Sequence, residues 1–152
     1  MKIYLAGPIT GKSFDEVMTR YREQMSLLVD FGYEVLSPMT AKGGLKGVSA
    51  FVPTGNFGPV ANDHAIFARD RWMVTQADVV LADLSNATAV SIGTMMELAW
   101  ASYLNKHTIL VMENKNIHNH AFVKQAANIW FSDMETAYDY LRELSLSQMG
   151  LS

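Results

Sequence analysis

Two hydrophobic periods alternate along this chain. Short apolar runs, Ile3-Tyr4-Leu5-Ala6 near the start and Val79-Val80-Leu81-Ala82 in the middle, have the make-up of strands covered on both faces. Between them apolar residues recur every three or four positions. Phe14, Val17, Met18, Tyr21, Met25 and Leu28 predict a first helix over about 14–31, opened by the capping box Ser13-Phe14-Asp15-Glu16 and ended at Gly32. A second strand follows at 33–36 and stops at Pro38. Residues 40–62 carry five glycines, two prolines and no period, and read as a long loop with the character of a lid.

The pattern resumes with a helix over 63–76, the strand at 79–82, a polar loop over 83–90 and a helix from Ser91 to Asn105. In that last helix Ile92, Met95, Met96, Leu98, Ala99, Trp100, Ala101 and Leu104 leave almost no polar side, which predicts burial all round. A fourth strand is expected at 107–112, a polar segment at 113–120 and a short strand at 128–131. A second capping box, Ser132-Asp133-Met134-Glu135, opens a final helix to about 144, with a frayed tail over 145–152. Strands and helices in this alternation predict one domain over 1–152, an α/β fold. Its doubly wound, five-stranded parallel sheet takes the flavodoxin-like, Rossmann-like order 2-1-3-4-5, with helices on both faces. In that order the loops after strands 1 and 3, residues 7–12 and 83–91, converge on one crevice.

Glu97 is the residue that calls for an explanation. A carboxylate among apolar neighbours loses hydration at a cost of several kcal/mol unless it is protonated or paired. One reading is a structural ion pair or accepted hydrogen bond in the core; the other is a carboxylate at a pocket floor, poised as nucleophile or base. Ser91 can cap the helix that carries it, Gly93 lets a ligand approach the backbone, and Thr94 adds a hydroxyl. The turn Gly7-Pro8-Ile9-Thr10-Gly11-Lys12, between a strand and a helix, suits a phosphate- or sugar-sized group, though such turns also arise for steric reasons alone. Asp70 lies seven residues from Asp63 on one helix face and between Arg69 and Arg71. It fits either a surface salt bridge or, with Glu97, the carboxylate pair of glycosidic-bond chemistry. Lys42 and Lys46 can meet a phosphate or stay solvated, and Phe51 and Phe57 can stack on a base or pin the loop to the body.

Composition narrows the classes. The 152 residues are 49% hydrophobic, enough for a full core, and a net charge of −3 with no basic block gives no footprint for nucleic acid. No run approaches a membrane span and Met1 leads straight into a strand, so a soluble cytoplasmic protein is expected, with no membrane partner. The absence of cysteine excludes disulfides, a thiolate metal site and a thiol nucleophile. The ten methionines read as core filler. His107, His118 and His120 lack the spacing of a zinc site, so no metal and no cofactor is expected.

The start KIYLAGP, the block RDRWMVTQADVVLADL and the block SIGTMMELAWA, in that order and spacing, resemble the nucleoside 2-deoxyribosyltransferase family. Its relatives, the 2′-deoxynucleoside 5′-phosphate N-hydrolases, share the pattern. The resemblance spans nearly the whole chain. It implies that Glu97 is the nucleophile that attacks the anomeric carbon, that Asp70 helps protonate or steer the leaving base, and that Tyr4 hydrogen-bonds the nucleophile. It further implies that Ser91 helps hold a 5′-phosphate, as in the hydrolases; with Gly93 and the turn residues Gly7, Pro8, Ile9, Thr10 and Gly11, Ser91 makes up the expected substrate contacts. It also implies a polar residue near Asn119 supplied to a neighbouring subunit's site in a homo-oligomer. One departure stands out: where many transferases carry an aspartate six residues before the nucleophile, this chain has Ser91, as the hydrolases do. The resemblance therefore implies a small nucleoside or nucleotide and a nucleobase as ligands, with transfer of deoxyribose first and hydrolysis second. A non-catalytic nucleotide-sensing module is the third possibility.

Overall fold

A parallel sheet of five strands carries the site. In the computed structural model, which describes residues 1–151, the order of elements is β1 (Lys2–Ala6), α1 (Phe14–Asp30), β2 (Glu34–Leu36), a 3-10 turn (Gly43–Leu45), α2 (Asp63–Gln76), β3 (Val79–Asp83), α3 (Ile92–Tyr103), β4 (His107–Val111), α4 (Ala121–Gln125), β5 (Ile129–Phe131) and α5 (Met134–Gln148). The strands run β2-β1-β3-β4-β5, every neighbouring pair parallel, as the alternation of periods predicts. β1 and β3 are in register with Tyr4 opposite Val80 and Ala6 opposite Ala82, so the loops leaving both strands emerge side by side.

Alternate side chains of each strand feed two separate cores. Ile3, Leu5, Val79, Leu81, Ile109 and Val111 pack with α1 and α5 through Val17, Tyr21, Leu28, Ala137 and Leu141. Tyr4, Ala6, Val80, Ala82 and Leu110 face the other way, onto Met73 and Val74 of α2 and Leu98 and Ala101 of α3. Tyr4 thus lies on the α2–α3 face.

The first helix begins as its sequence predicts: Ser13 accepts from Glu16 N–H while the Glu16 carboxylate receives Ser13 N–H at 2.8 Å. Three expectations need correction, and one short helix is unforeseen. The cap of α5 is Asp133, whose Oδ1 accepts Thr136 N–H at 2.9 Å; the box expected from Ser132 does not form, because an aspartate is a full cap by itself. The tail does not fray at 145: α5 continues to Gln148, since Ser145 is buried and its hydroxyl donates to Phe31 O at 2.6 Å, while Ser152 lies outside the described residues. The segment after 120 holds α4, capped by His120, whose Nδ1 accepts Phe122 N–H. Finally α3 is not buried all round. Ile92, Met96, Ala99 and Tyr103 form an exposed stripe, with Ile92 at 73% and Tyr103 at 87% of full exposure. An all-round apolar helix needs two covering surfaces, and one chain provides one.

Candidate active site

The site is assembled where β1, α2 and α3 meet. Tyr4, fully buried on β1, donates its phenolic O–H to Oε1 of Glu97 at 2.6 Å. Glu97 sits mid-way along α3 and is 7% exposed, in a row with Thr94, Leu98 and Ala101 on the buried side of the helix. Burial pushes its carboxyl up to about 8; Asp70 reinforces the rise, while the Tyr4 hydrogen bond and the Lys42 charge oppose it. Glu97 therefore holds its proton to higher pH than a carboxyl in water does. The Tyr4 phenol is itself raised well above its ordinary value of 10.0, by burial first and then by Glu97 and Asp70, so it remains a donor throughout the working pH range.

Asp70 comes from α2. Its partner is neither flanking arginine: Arg69 donates to Val60 O at 2.8 Å and Arg71 lies over the Phe67 ring. Instead Oδ2 faces the ammonium of Lys42 at 3.4 Å, and Oδ1 is buried with no partner. Burial raises the Asp70 carboxyl, with Lys42 and then Arg69 pulling it back. The surface-salt-bridge expectation fails because α2 turns this residue inward, onto a loop lysine that carries no periodic signal.

Glu97 and Asp70 both line a cavity of about 520 Å³, within the roughly 300–1,000 Å³ typical of small-ligand sites. Gly7, Ile9 and Thr10 from the loop after β1 form one side and Ser91, Gly93 and Thr94 from the start of α3 another. The 40–62 loop supplies the third wall through Lys42, Phe51 and Phe57. This loop is tied to the body: Phe51 N–H donates to Lys12 O at 2.8 Å, Gly11 N–H to Phe51 O at 2.9 Å, and the Phe51 ring packs on Phe14. Phe57 is exposed at the cavity rim, and Phe67 meets Trp100 edge-to-face across 5.2 Å, which gives the cavity an aromatic wall.

Gly7 has no room for a side chain: a Cβ there falls 2.9 Å from the backbone oxygen of Asp83, where the loops after β1 and β3 come together. At Gly93 a Cβ would meet nothing within 4 Å, so the backbone at the start of α3 lies open on the cavity side. Ser91 caps α3, its Oγ accepting Thr94 N–H at 3.4 Å and lying 2.9 Å from Thr94 Oγ1. The N–H of Ser91 donates to His118 Nε2 at 2.9 Å, and His118 Nδ1 is 3.0 Å from Asn116 Oδ1. An accepting Nε2 makes this histidine neutral with its proton on Nδ1, donated to Asn116. Asn116 in turn donates to Leu84 O and to Glu113, so the loops after β3 and β4 are fastened to the cap of α3.

The profile that defines the family described as nucleoside 2-deoxyribosyltransferase matches residues 3–142. The chain belongs to the nucleoside 2-deoxyribosyltransferase family. No curated protein matches it in sequence. Its fold is shared with a solved 2-deoxyribosyltransferase from Bacillus psychrosaccharolyticus, at a TM-score of 0.67 and 23% identity over 92% of each chain. It is shared also with a CMP N-glycosidase from Clostridium botulinum, at 0.57 and 18% over 97% of this chain and 99% of that one.

In this member of the nucleoside 2-deoxyribosyltransferase family, the residues singled out in the sequence fall into three groups. Tyr4, Asp70, Glu97, Gly7, Ile9, Thr10, Ser91 and Gly93 line the cavity or touch a residue that does. Pro8 and Gly11 lie behind it: Pro8 is buried with its carbonyl accepting from Arg20 at 3.1 Å, and Gly11 makes the turn with φ +81°. Asn119 is not brought to the cavity within one chain; its side-chain amide donates to Asn114 O at 2.5 Å. Lys46 is exposed and away from the cavity. The three histidines go separate ways, His107 to Tyr140, His118 to Ser91 and His120 to the cap of α4. Among the described residues no three His, Asp or Glu side chains are grouped to hold a metal ion. His118 and Asn116 escape a sequence reading because nothing in a run of polar loop residues marks which turn inward; the inward turn of Lys42 has one faint signal, its place between the apolar Met39 and Leu45.

Proposed function

We propose that the protein cleaves the N-glycosidic bond of 2′-deoxynucleosides, or of their 5′-monophosphates, through a covalent ester on Glu97, and passes the deoxyribosyl group to a second nucleobase. The observation that carries this reading is the Tyr4–Glu97 pair at the floor of a ligand-sized cavity: a buried carboxyl held by one donor, with Asp70 in the same cavity. Family membership supplies the reaction class. A carboxylate oxygen of Glu97 closes on C1′ as the C1′–N bond breaks; the bonding pair leaves on the base nitrogen, which takes up one proton. Glu97 must give up its resting proton to attack, and Asp70, with Oδ1 unpartnered, relays a proton to the departing base. The missing 2′-hydroxyl eases the oxocarbenium-like transition state, which the adjacent carboxylate stabilises. A second base attacking the ester from the opposite face then restores the original configuration.

One observation favours hydrolysis of nucleotides as the second reading. The start of α3 offers the hydroxyls of Ser91 and Thr94 and an open backbone at Gly93, with no acidic side chain in that stretch. A helix start of this make-up suits a 5′-phosphate, which an aspartate at 91 would repel. Incubation with dCMP, dGMP, deoxyinosine and a free acceptor base separates the readings. Base exchange supports the transferase; sugar phosphate released without exchange supports the hydrolase; no cleavage of any substrate overturns both.

The same reading includes assembly of like chains. The exposed stripe Ile92, Met96, Ala99 and Tyr103 lies beside the cavity, and Ile92 and Met96 belong to its wall, so a second copy packed there brings the neighbour's polar loops to the mouth. Asn119 serves substrate only in such an assembly. Light scattering of the purified protein tests this: a monomer at micromolar concentration removes Asn119 from the site.

A further inference from the structure

Lys42 is the least expected side chain in the cavity. It comes from the glycine-rich loop, yet it is 1% exposed, between the buried Met39 and Leu45. Its backbone is locked, N–H donating to Met39 O at 3.1 Å and its carbonyl accepting Leu45 N–H at 2.9 Å. Lysine is almost never fully buried unless paired, and here the pairing is with Asp70 Oδ2 at 3.4 Å. The other ion pairs among the described residues, Lys2 with Glu34 and Arg142 with Asp139, have side chains about half exposed. One acceptor for an ammonium with three donors is a thin structural return for that burial.

We propose that Lys42 is a positioning residue of this site: its ammonium holds Asp70 by Oδ2, leaves Oδ1 free for a ligand, and is the cation set in the cavity beside both carboxylates. Four parts of the chain present charged or titratable groups to them. Tyr4 of β1, Asp70 of α2 and Lys42 of the loop bear on Glu97, and Tyr21 of α1 senses it; Lys42 and Arg69 bear on Asp70, which Tyr4 senses in turn. Lys42 lines the cavity together with both carboxylates, whereas Arg69 is turned away from it to Val60 O. Without it, two buried carboxyls share a cavity with no cation between them, and each holds its proton to higher pH. Glu97 then ionises later, and attack on the sugar needs it ionised.

The inference deepens the glycosidic reading, and its test has one arm that needs no turnover. In that arm, carboxyl-carbon NMR titrations of Asp70 and Glu97 are compared in the wild type, Lys42→Met and Lys42→Arg. The expected result is a rise of about one pH unit in the midpoints of Lys42→Met, with Lys42→Arg close to the wild type. In the second arm the acid limb of kcat/KM for base release moves up with the titration in Lys42→Met and returns in Lys42→Arg. If Lys42→Met does not fold, Lys42→Gln, uncharged and polar, gives the same comparison. Unmoved midpoints in a folded uncharged variant, or an arginine variant shifted as far as the uncharged one, overturn the proposal. A wild type that releases no base overturns the glycosidic reading and leaves the first arm to decide on Lys42.

Discussion

The phenol of Tyr4 and the carboxyl of Glu97, 93 positions apart in sequence, are joined by a 2.6 Å hydrogen bond in the interior between β1 and α3. The donor is fixed by the sheet and the acceptor by the helix, so the bond sets the rotamer of Glu97 and favours its ionised form. Hydrogen bonds to a charged partner are worth about 1.5–3 kcal/mol. Tyr4→Phe should therefore lower kcat for base release roughly tenfold to hundredfold and move the acid limb of the pH profile upward. Unchanged kcat with an unchanged limb removes Tyr4 from the mechanism.

The raised Glu97 carboxyl also makes a statement about stability. A group whose folded value, about 8, exceeds its ordinary 4.5 holds its proton more tightly in the folded state. Its contribution is fully present below pH 4.5 and lost as pH rises through about 8. Glu97→Gln keeps the shape and never ionises, so it should unfold less readily than the wild type at pH 9, by a few kcal/mol at most, and show little difference at pH 5. Urea titrations at the two pH values check this; parallel curves for both proteins at both pH values contradict it.

His118 gives the opposite sign. It is 3% exposed, accepts from Ser91 N–H, and burial lowers its titration below the ordinary 6.5. Its stabilising contact is present above pH 6.5 and lost as pH falls through the depressed value. His118→Phe should cost about 1–3 kcal/mol at pH 8, because the Ser91 N–H is left without an acceptor, and should flatten the fall in stability toward pH 5. Thermal melts across that range measure both effects.

The two site loops come together tightly at Gly7. Gly7→Ala sets a Cβ 2.9 Å from the backbone oxygen of Asp83, and backbone cannot swing aside as a side chain can. A cost of about 1–3 kcal/mol is expected, together with weakened substrate binding as the loops after β1 and β3 part. A variant as stable as the wild type, with unchanged KM, contradicts this packing.

Much of this arrangement could be read from the residues before any coordinates. The two apolar periods predict five strands, their order and the meeting of the loops after β1 and β3, because burial on both faces leaves parallel strands few alternatives. Glu97 declares itself as a lone carboxylate in an apolar helix, and three ordered sequence blocks carry the family. Outside local pattern lie the partners that come from elsewhere in the chain. Lys42 has no periodic signal and Asp70 is flanked by arginines it does not use. His118 reaches Ser91 only because β3 and β4 are neighbours. The exposed stripe on α3 is a failure of a different kind, since hydrophobicity states that a surface must be covered and not by which chain.

The central claim is the ester on Glu97, and it can be read directly. The protein is mixed with a 2′-fluoro-substituted nucleoside, whose electron-withdrawing fluorine slows formation and turnover of the intermediate, then quenched in acid and examined by intact and peptide mass spectrometry. The account predicts a mass gain of one fluorinated deoxyribosyl unit located on the peptide that contains Glu97, and none in Glu97→Ala. Base release by the unmodified protein with no adduct, or an adduct that persists in Glu97→Ala, contradicts it.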